Sequence, residues 1–291
     1  MKKIKIFVLV WLFCVSSAFA EEYEIKLSRP IEKGKKFRLD ASSHTLSLMT
    51  EIEDGKVKDE KRIEMTVNFI ARVEVLAVDE EGQITRASYT VEKLDSIDQG
   101  KVKSLLSEGE IIIADTDDNK TDFIVDEKHV GYDLEMALQQ VVSQGSGTKD
   151  DKIFGTKDKK KIGDKWEIDS EYAALDMQSK KIEVKKEFLY GTVSLDDIVK
   201  VNGIECLQLQ AQINVDKMDI PMPDDVQVEE VTVKAGYLGK FPLDQSYQAL
   251  ETVREMTFYF KARGTPGTDD EKKRMEATME NSLTTKIEYL K

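Results

Sequence analysis

From Ile63 to Ala77, apolar and polar side chains alternate almost without a break. Ile63, Met65, Val67, Phe69, Ala71, Val73, Val75 and Ala77 fall on one side, and Glu64, Thr66, Asn68, Arg72 and Glu74 on the other. Period two is the signature of a strand with one face in a core and one in water. At about 3.3 Å per residue this stretch reaches roughly 50 Å, several times the usual strand length. Such strands build large, curved sheets.

The pattern recurs. Gly34-Lys35-Lys36-Phe37-Arg38-Leu39-Asp40 is echoed by Gly163-Asp164-Lys165-Trp166-Glu167-Ile168-Asp169: a glycine, two polar residues, then an aromatic-charged-aliphatic-Asp strand start. Each opener precedes a hairpin. Ile63 to Ala77 turns at Glu80-Glu81-Gly82 into Gln83 to Val91, and Ile182 to Leu195 turns at Asn202-Gly203 into Ile204 to Val215. The charged loop Glu53 to Arg62 has only Gln178 to Lys181 as its counterpart. Two echoes in the same order indicate an internal duplication. At the far end Met256, Phe258, Phe260 and Ala262 alternate outwards, and Met275, Ala277, Met279, Leu283, Ile287 and Tyr289 return as a final strand.

One segment breaks the β pattern. Asp133 is placed to cap a helix whose Leu134, Ala137, Leu138, Val141 and Val142 form a single apolar stripe ending before Gly145. The expected fold is therefore mainly β: two tandem antiparallel curved sheets, half-barrel-like, with one amphipathic helix near 133–144. The expected organisation is a leader at 1–20, a β repeat with its helix at 21–145, a charged linker at 146–161 and a second β repeat at 162–291.

The leader follows from Lys2, Lys3 and Lys5, the apolar run Ile6 to Val15 and the small-x-small triplet Ala18-Phe19-Ala20. This is the pattern of a secretory signal peptide cut after Ala20, which places the product in a periplasm or outside the cell. The run is too short for a membrane helix, which needs about 20 residues, and no later stretch approaches that length. Bulky Trp11-Leu12-Phe13 ahead of Cys14 argues against lipidation there. Cleavage leaves Cys206 as the sole cysteine, so no disulfide can form within the chain. The formal charge of −13 becomes −16 once the three leader lysines are removed. An acidic surface of this kind disfavours nucleic acid and anionic lipid heads as partners.

Candidate chemistry is sparse. The two histidines are His44 and His129. Ser43 and His44 are neighbours on a strand, point to opposite faces and cannot share a proton. No nucleophile elbow, zinc-binding His pair or phosphate loop is present. Asp115, Asp117, Asn119 and Asp126 have part of the spacing of a calcium loop, but Lys120 replaces its turn glycine and the flanks read as strands. A polar hairpin tip accounts for them, so neither a metal nor a cofactor is expected, nor enzymatic activity. The loop Asp219-Ile220-Pro221-Met222-Pro223-Asp224-Asp225 reads as a stiff connector that could otherwise present Met222. The residues placed to line an apolar ligand are Met65, Phe69, Phe188, Tyr190, Met256, Phe258 and Phe260, the alternative being a closed core.

Long antiparallel strands with one helix, without disulfides or catalytic histidines, resemble the periplasmic lipoprotein-carrier superfamily. The duplicated opener resembles exported two-repeat β-proteins of uncharacterised function. The first resemblance implies a half-barrel that holds acyl chains, and it carries over no functional residue. The expected function is thus binding of an apolar ligand or a lipid-bearing partner in the cell envelope, with a homodimer through sheet edges as a further partner. Two other classes remain open: a structural or adhesive β-module without a cavity, and an outer-membrane barrel.

Overall fold

The structure is a computed structural model, and it describes residues 21–117, 120–142, 147–179, 182–219, 222, 226–264 and 273–290. The leader at 1–20, Asn119, Gly145 and the prolines of the 219–225 loop lie outside the described residues. The fold is mainly β, with thirteen strands in one antiparallel sheet. In chain order these are β1 (Lys36–Glu53), β2 (Lys56–Val78), β3 (Ile84–Asp98), β4 (Lys101–Leu106), β5 (Ile111–Asp117), β6 (Lys120–Val125) and β7 (Lys128–His129). After the helices come β8 (Lys165–Glu167), β9 (Leu189–Val201), β10 (Ile204–Val215), β11 (Gln227–Pro242), β12 (Glu251–Arg263) and β13 (Lys273–Tyr289).

The strands run in the order β7-β6-β5-β3-β2-β1-β13-β12-β11-β10-β9-β8, with β4 on the outer part of β3. The two halves do not form tandem sheets. The first strand pairs with the last from Phe37 opposite Tyr289 to Glu53 opposite Lys273, which joins both halves into one sheet. Among the described residues the sheet is open, ending at β7 and β8.

The two openers share a turn geometry. Gly34 (φ 86°) donates its N–H to the Val75 carbonyl at 2.8 Å, and the Val75 N–H returns to Lys35 at 3.0 Å. Gly163 (φ 91°) donates to Leu195 at 2.7 Å, and the Leu195 N–H returns to Asp164 at 3.0 Å. The two segments then diverge. Asp40 continues as strand, whereas Asp169 accepts the Glu171 and Tyr172 N–H groups at 3.1 and 3.0 Å and so caps a helix.

Several elements differ from expectation. The stretch Glu53 to Arg62 is no loop: β1 and β2 continue through it to a two-residue turn at Asp54 (φ 50°) and Gly55 (φ 74°), with Glu53 opposite Lys56. Positive φ at both positions is the type I′ turn, whose twist matches that of the strands. The strand expected from Ile182 begins only at Leu189, after a 3₁₀ turn at Lys186–Phe188. The region read as a linker contains α2 (Gly147–Phe154), which follows α1 (Tyr132–Val141), and α3 (Ser170–Ser179) comes later. Asp133 does not cap α1; Gly131 occupies that position without a side-chain bond.

One face of the sheet carries the core. Phe37, Leu39 and Ala41 lie opposite Val73, Ala71 and Phe69, and all six are buried. Helix α1 covers this cluster with Ala137, Leu138 and Val141, and Val142 at its C-terminal end adds to it. Helices α2 and α3 cover the β9–β11 end through Ile153 and Ala173. An N-terminal arm links the two regions. Ile25 and Leu27 are buried with Leu207, Leu209 and Phe241, and Ile31 joins the first cluster and donates to Gly82 at 2.9 Å. The opposite face is polar. There Arg38 and Arg72 hold Glu92 at 2.9 and 3.0 Å, and His44 meets Thr66 at 3.0 Å.

Candidate functional site: a cavity beneath two helices

The floor of the site is two rows of the antiparallel register. Residues in one row share a face of the sheet. The first row is Ala211, Tyr237 and Arg254; the second is Ile213, Ala235, Met256 and Asn281. Small side chains at Ala211 and Ala235 leave hollows where larger ones would meet the helices. The roof is α2 with Ile153 and Phe154 and α3 with Ala173 and Met177, while Leu27 of the arm closes one side. The space between them is about 410 Å³ and is partly open to solvent.

The helices sit at this height for identifiable reasons. Phe154 stacks on Tyr237 with ring centroids 6.4 Å apart, and its carbonyl accepts the Trp166 indole N–H at 2.8 Å. Asp151 fixes the arm through the Leu27 N–H at 2.6 Å. Burial pushes the Tyr237 phenol well above the usual tyrosine range, so it stays protonated. Arg254 lies over the Tyr237 ring at 5.8 Å and faces Asp150 at 3.9 Å. The chamber is thus mainly apolar with a few convergent polar groups, which suits a small hydrophobic molecule.

The residues named from sequence are scattered. Met256, 37% exposed, lines the cavity. Phe69 is fully buried under α1, its ring 5.8 Å from Tyr89, and Met65 packs on the edge of that cluster. Phe258 and Phe260 stack at 6.4 Å in a separate cluster, into which Met222 also packs. Phe188 lies on the 3₁₀ turn beneath the Lys217 ammonium, at 5.9 Å. Tyr190 donates to Asp216 at 3.1 Å from a half-exposed position. The Ser43 hydroxyl is on the core face near Gln140 of α1, at 3.5 Å, and His44 is on the polar face. Asp115 of β5 pairs with Arg86 of β3, and Asp122 pairs with Lys120 on its own strand, β6. Among the described residues no three metal-binding side chains converge.

Sequence reasoning missed Tyr237, Arg254, Ala211 and Ala235. A signal existed: Val231, Val233, Ala235 and Tyr237 alternate on β11, with a small residue where a larger one would be expected.

Fold and site together describe an open antiparallel sheet with helices on one face and an apolar chamber beneath two of them. No protein-family model matches the chain, and no curated protein matches it. Among solved structures, the outer membrane protein OprG from Pseudomonas aeruginosa overlaps with 8% identity and a TM-score of 0.16, covering 89% of this chain and 97% of its own. An outer membrane channel from Pseudomonas putida does so with 9% identity and a TM-score of 0.18, at the same coverage. Superpositions of that quality define no common fold. No helix among the described residues is long and apolar enough to cross a membrane.

Proposed function

We propose that the protein is an exported, non-enzymatic binding protein of the cell envelope that holds an apolar ligand, free or carried on a lipid-bearing partner. The observation that supports this reading is the chamber of about 410 Å³ between α2, α3 and β10–β13. Its volume falls in the range of small-molecule sites, and its apolar walls would release bound water when occupied. Export rests on the leader pattern of residues 1–20. The barrel alternative has less support, because β7 and β8 do not meet among the described residues.

The test is uptake of a fluorescent fatty acid, together with native and denaturing mass spectra of protein taken from its own envelope. A mass excess that vanishes on denaturation is expected. Ala235→Trp should fill the chamber and abolish uptake while the β-type circular dichroism persists. Absence of both cargo and uptake in the wild type would overturn the binding role and favour a closed structural module.

A further inference from the structure

The chamber is polarised from end to end. Ala211 and Ile213 of β10 lie two strands from Arg254 of β12, which at about 4.8 Å per strand is roughly 10 Å. Met177 and Ala173 cover the β10 end from α3, so that end is mainly apolar, although α3 also brings Asp176 to the lining. The other end carries opposite charges side by side. The Arg254 guanidinium faces the Asp150 carboxylate at 3.9 Å, the outer limit of an ion pair, and their side chains keep 43% and 29% of their exposure. Both groups can therefore reach a molecule at the mouth while remaining on the chamber wall. The Tyr237 ring lies beneath the guanidinium carbon of Arg254, at 5.8 Å.

From this arrangement we propose that the chamber takes a single-chain zwitterionic amphiphile. Its chain lies among Ala211, Ile213 and Met177; its head spans the ion pair, phosphate on Arg254 and ammonium on Asp150. The inference rests on the binding role proposed above and specifies the ligand for the same chamber. An anionic head would satisfy Arg254 but face Asp150, and Asp176 of α3 and Glu255 of β12 add two further acidic residues to the lining. A cationic head would meet the reverse conflict at Arg254. A zwitterion matches both partners, with the phosphate suited to the forked donors of arginine. The volume lies toward the small end of ligand sites and suits one chain, not two.

The experiment is calorimetric titration of the leader-free chain with four probes of one chain length matched to the span of about 10 Å: octanoyl lysophosphatidylethanolamine, octanoate, monooctanoin and octylamine. The zwitterion should bind at least tenfold more tightly than the others. Arg254→Gln and Asp150→Asn should each bring it to the level of monooctanoin, and Asp150→Asn should strengthen octanoate. Thermal melts of both variants report whether the fold is kept, and the conservative Arg254→Lys should retain part of the preference. Equal binding of all four probes, or a preference indifferent to these variants, would overturn the head assignment and leave the binding role standing. Failure of the wild type to bind any probe would overturn both.

Discussion

Gly82 lies in the connection between β2 and β3 and Gly203 in the two-residue turn between β9 and β10, and both have left-handed backbones, with φ of 76° and 84°. Their surroundings differ. A Cβ on Gly203 would meet nothing within 4 Å, whereas one on Gly82 would lie 2.4 Å from Cβ of Pro30 in the N-terminal arm. Gly203→Ala therefore carries only the backbone penalty, about 1–2 kcal/mol. Gly82→Ala must also displace the arm, for a total of about 2–5 kcal/mol. Urea unfolding of the two variants should show that order; equal losses would mean that the arm does not press on the turn. Cys206 behaves at this scale as the sequence suggests, a buried small side chain whose thiol is pushed up by burial. The identity of a buried position can be read from its own residue type. The closeness of Pro30 to Gly82 cannot, because 52 positions separate them and no local pattern relates arm to turn.

Glu92 of β3 ties three strands together, accepting from Arg72 of β2 and Arg38 of β1. Hydrogen bonds from Arg72 and then Arg38 hold its carboxyl below the ordinary 4.5, against the upward push of burial. A depressed carboxylate contributes stability that is present above its unfolded value and lost as pH falls through the folded one. The stability gap between wild type and Glu92→Gln should therefore be open at neutral pH and narrow from about pH 5 downward. A gap independent of pH would show that the clamp is not ionic. Elements of this kind were legible in the sequence where one pattern dominated. The strands around Val67, Phe258 and Leu283 and the α1 stripe all follow from period two or period 3.6. The outer arms of β1 and β2 were misread as a loop because residues 56–63 are exposed on both faces, so no apolar period marks them. The Asp54-Gly55 pair was the available signal. Helix α3 was hidden because Tyr172 and Leu175 stay half exposed beside buried Ala173, leaving no clean stripe.

The pairing of β1 with β13 decides how the molecule behaves as a whole. Two repeats joined by a linker could unfold separately; two halves sharing a central ladder, with an arm packed on both clusters, should not. The same assembly explains why the chamber was not foreseen. Its walls come from positions 27 to 281, and its volume depends on how far α2 and α3 stand off the sheet, a distance that no alternation encodes. Leu138 and Trp166 test the shared ladder directly. Leu138 is fully buried in the first cluster, and Leu138→Ala should cost about 2–5 kcal/mol. Trp166 packs in the second cluster and is the sole tryptophan after residue 11, so its fluorescence reports the other half. If the sheet unfolds as one unit, Leu138→Ala lowers the denaturation midpoint seen by Trp166 fluorescence as far as that seen by circular dichroism. If the halves are independent, the fluorescence midpoint stays at the wild-type value while circular dichroism splits into two transitions. The continuous β1–β13 register requires the first outcome, because loss of β1 would strip β13 of one of its two partners along its entire length.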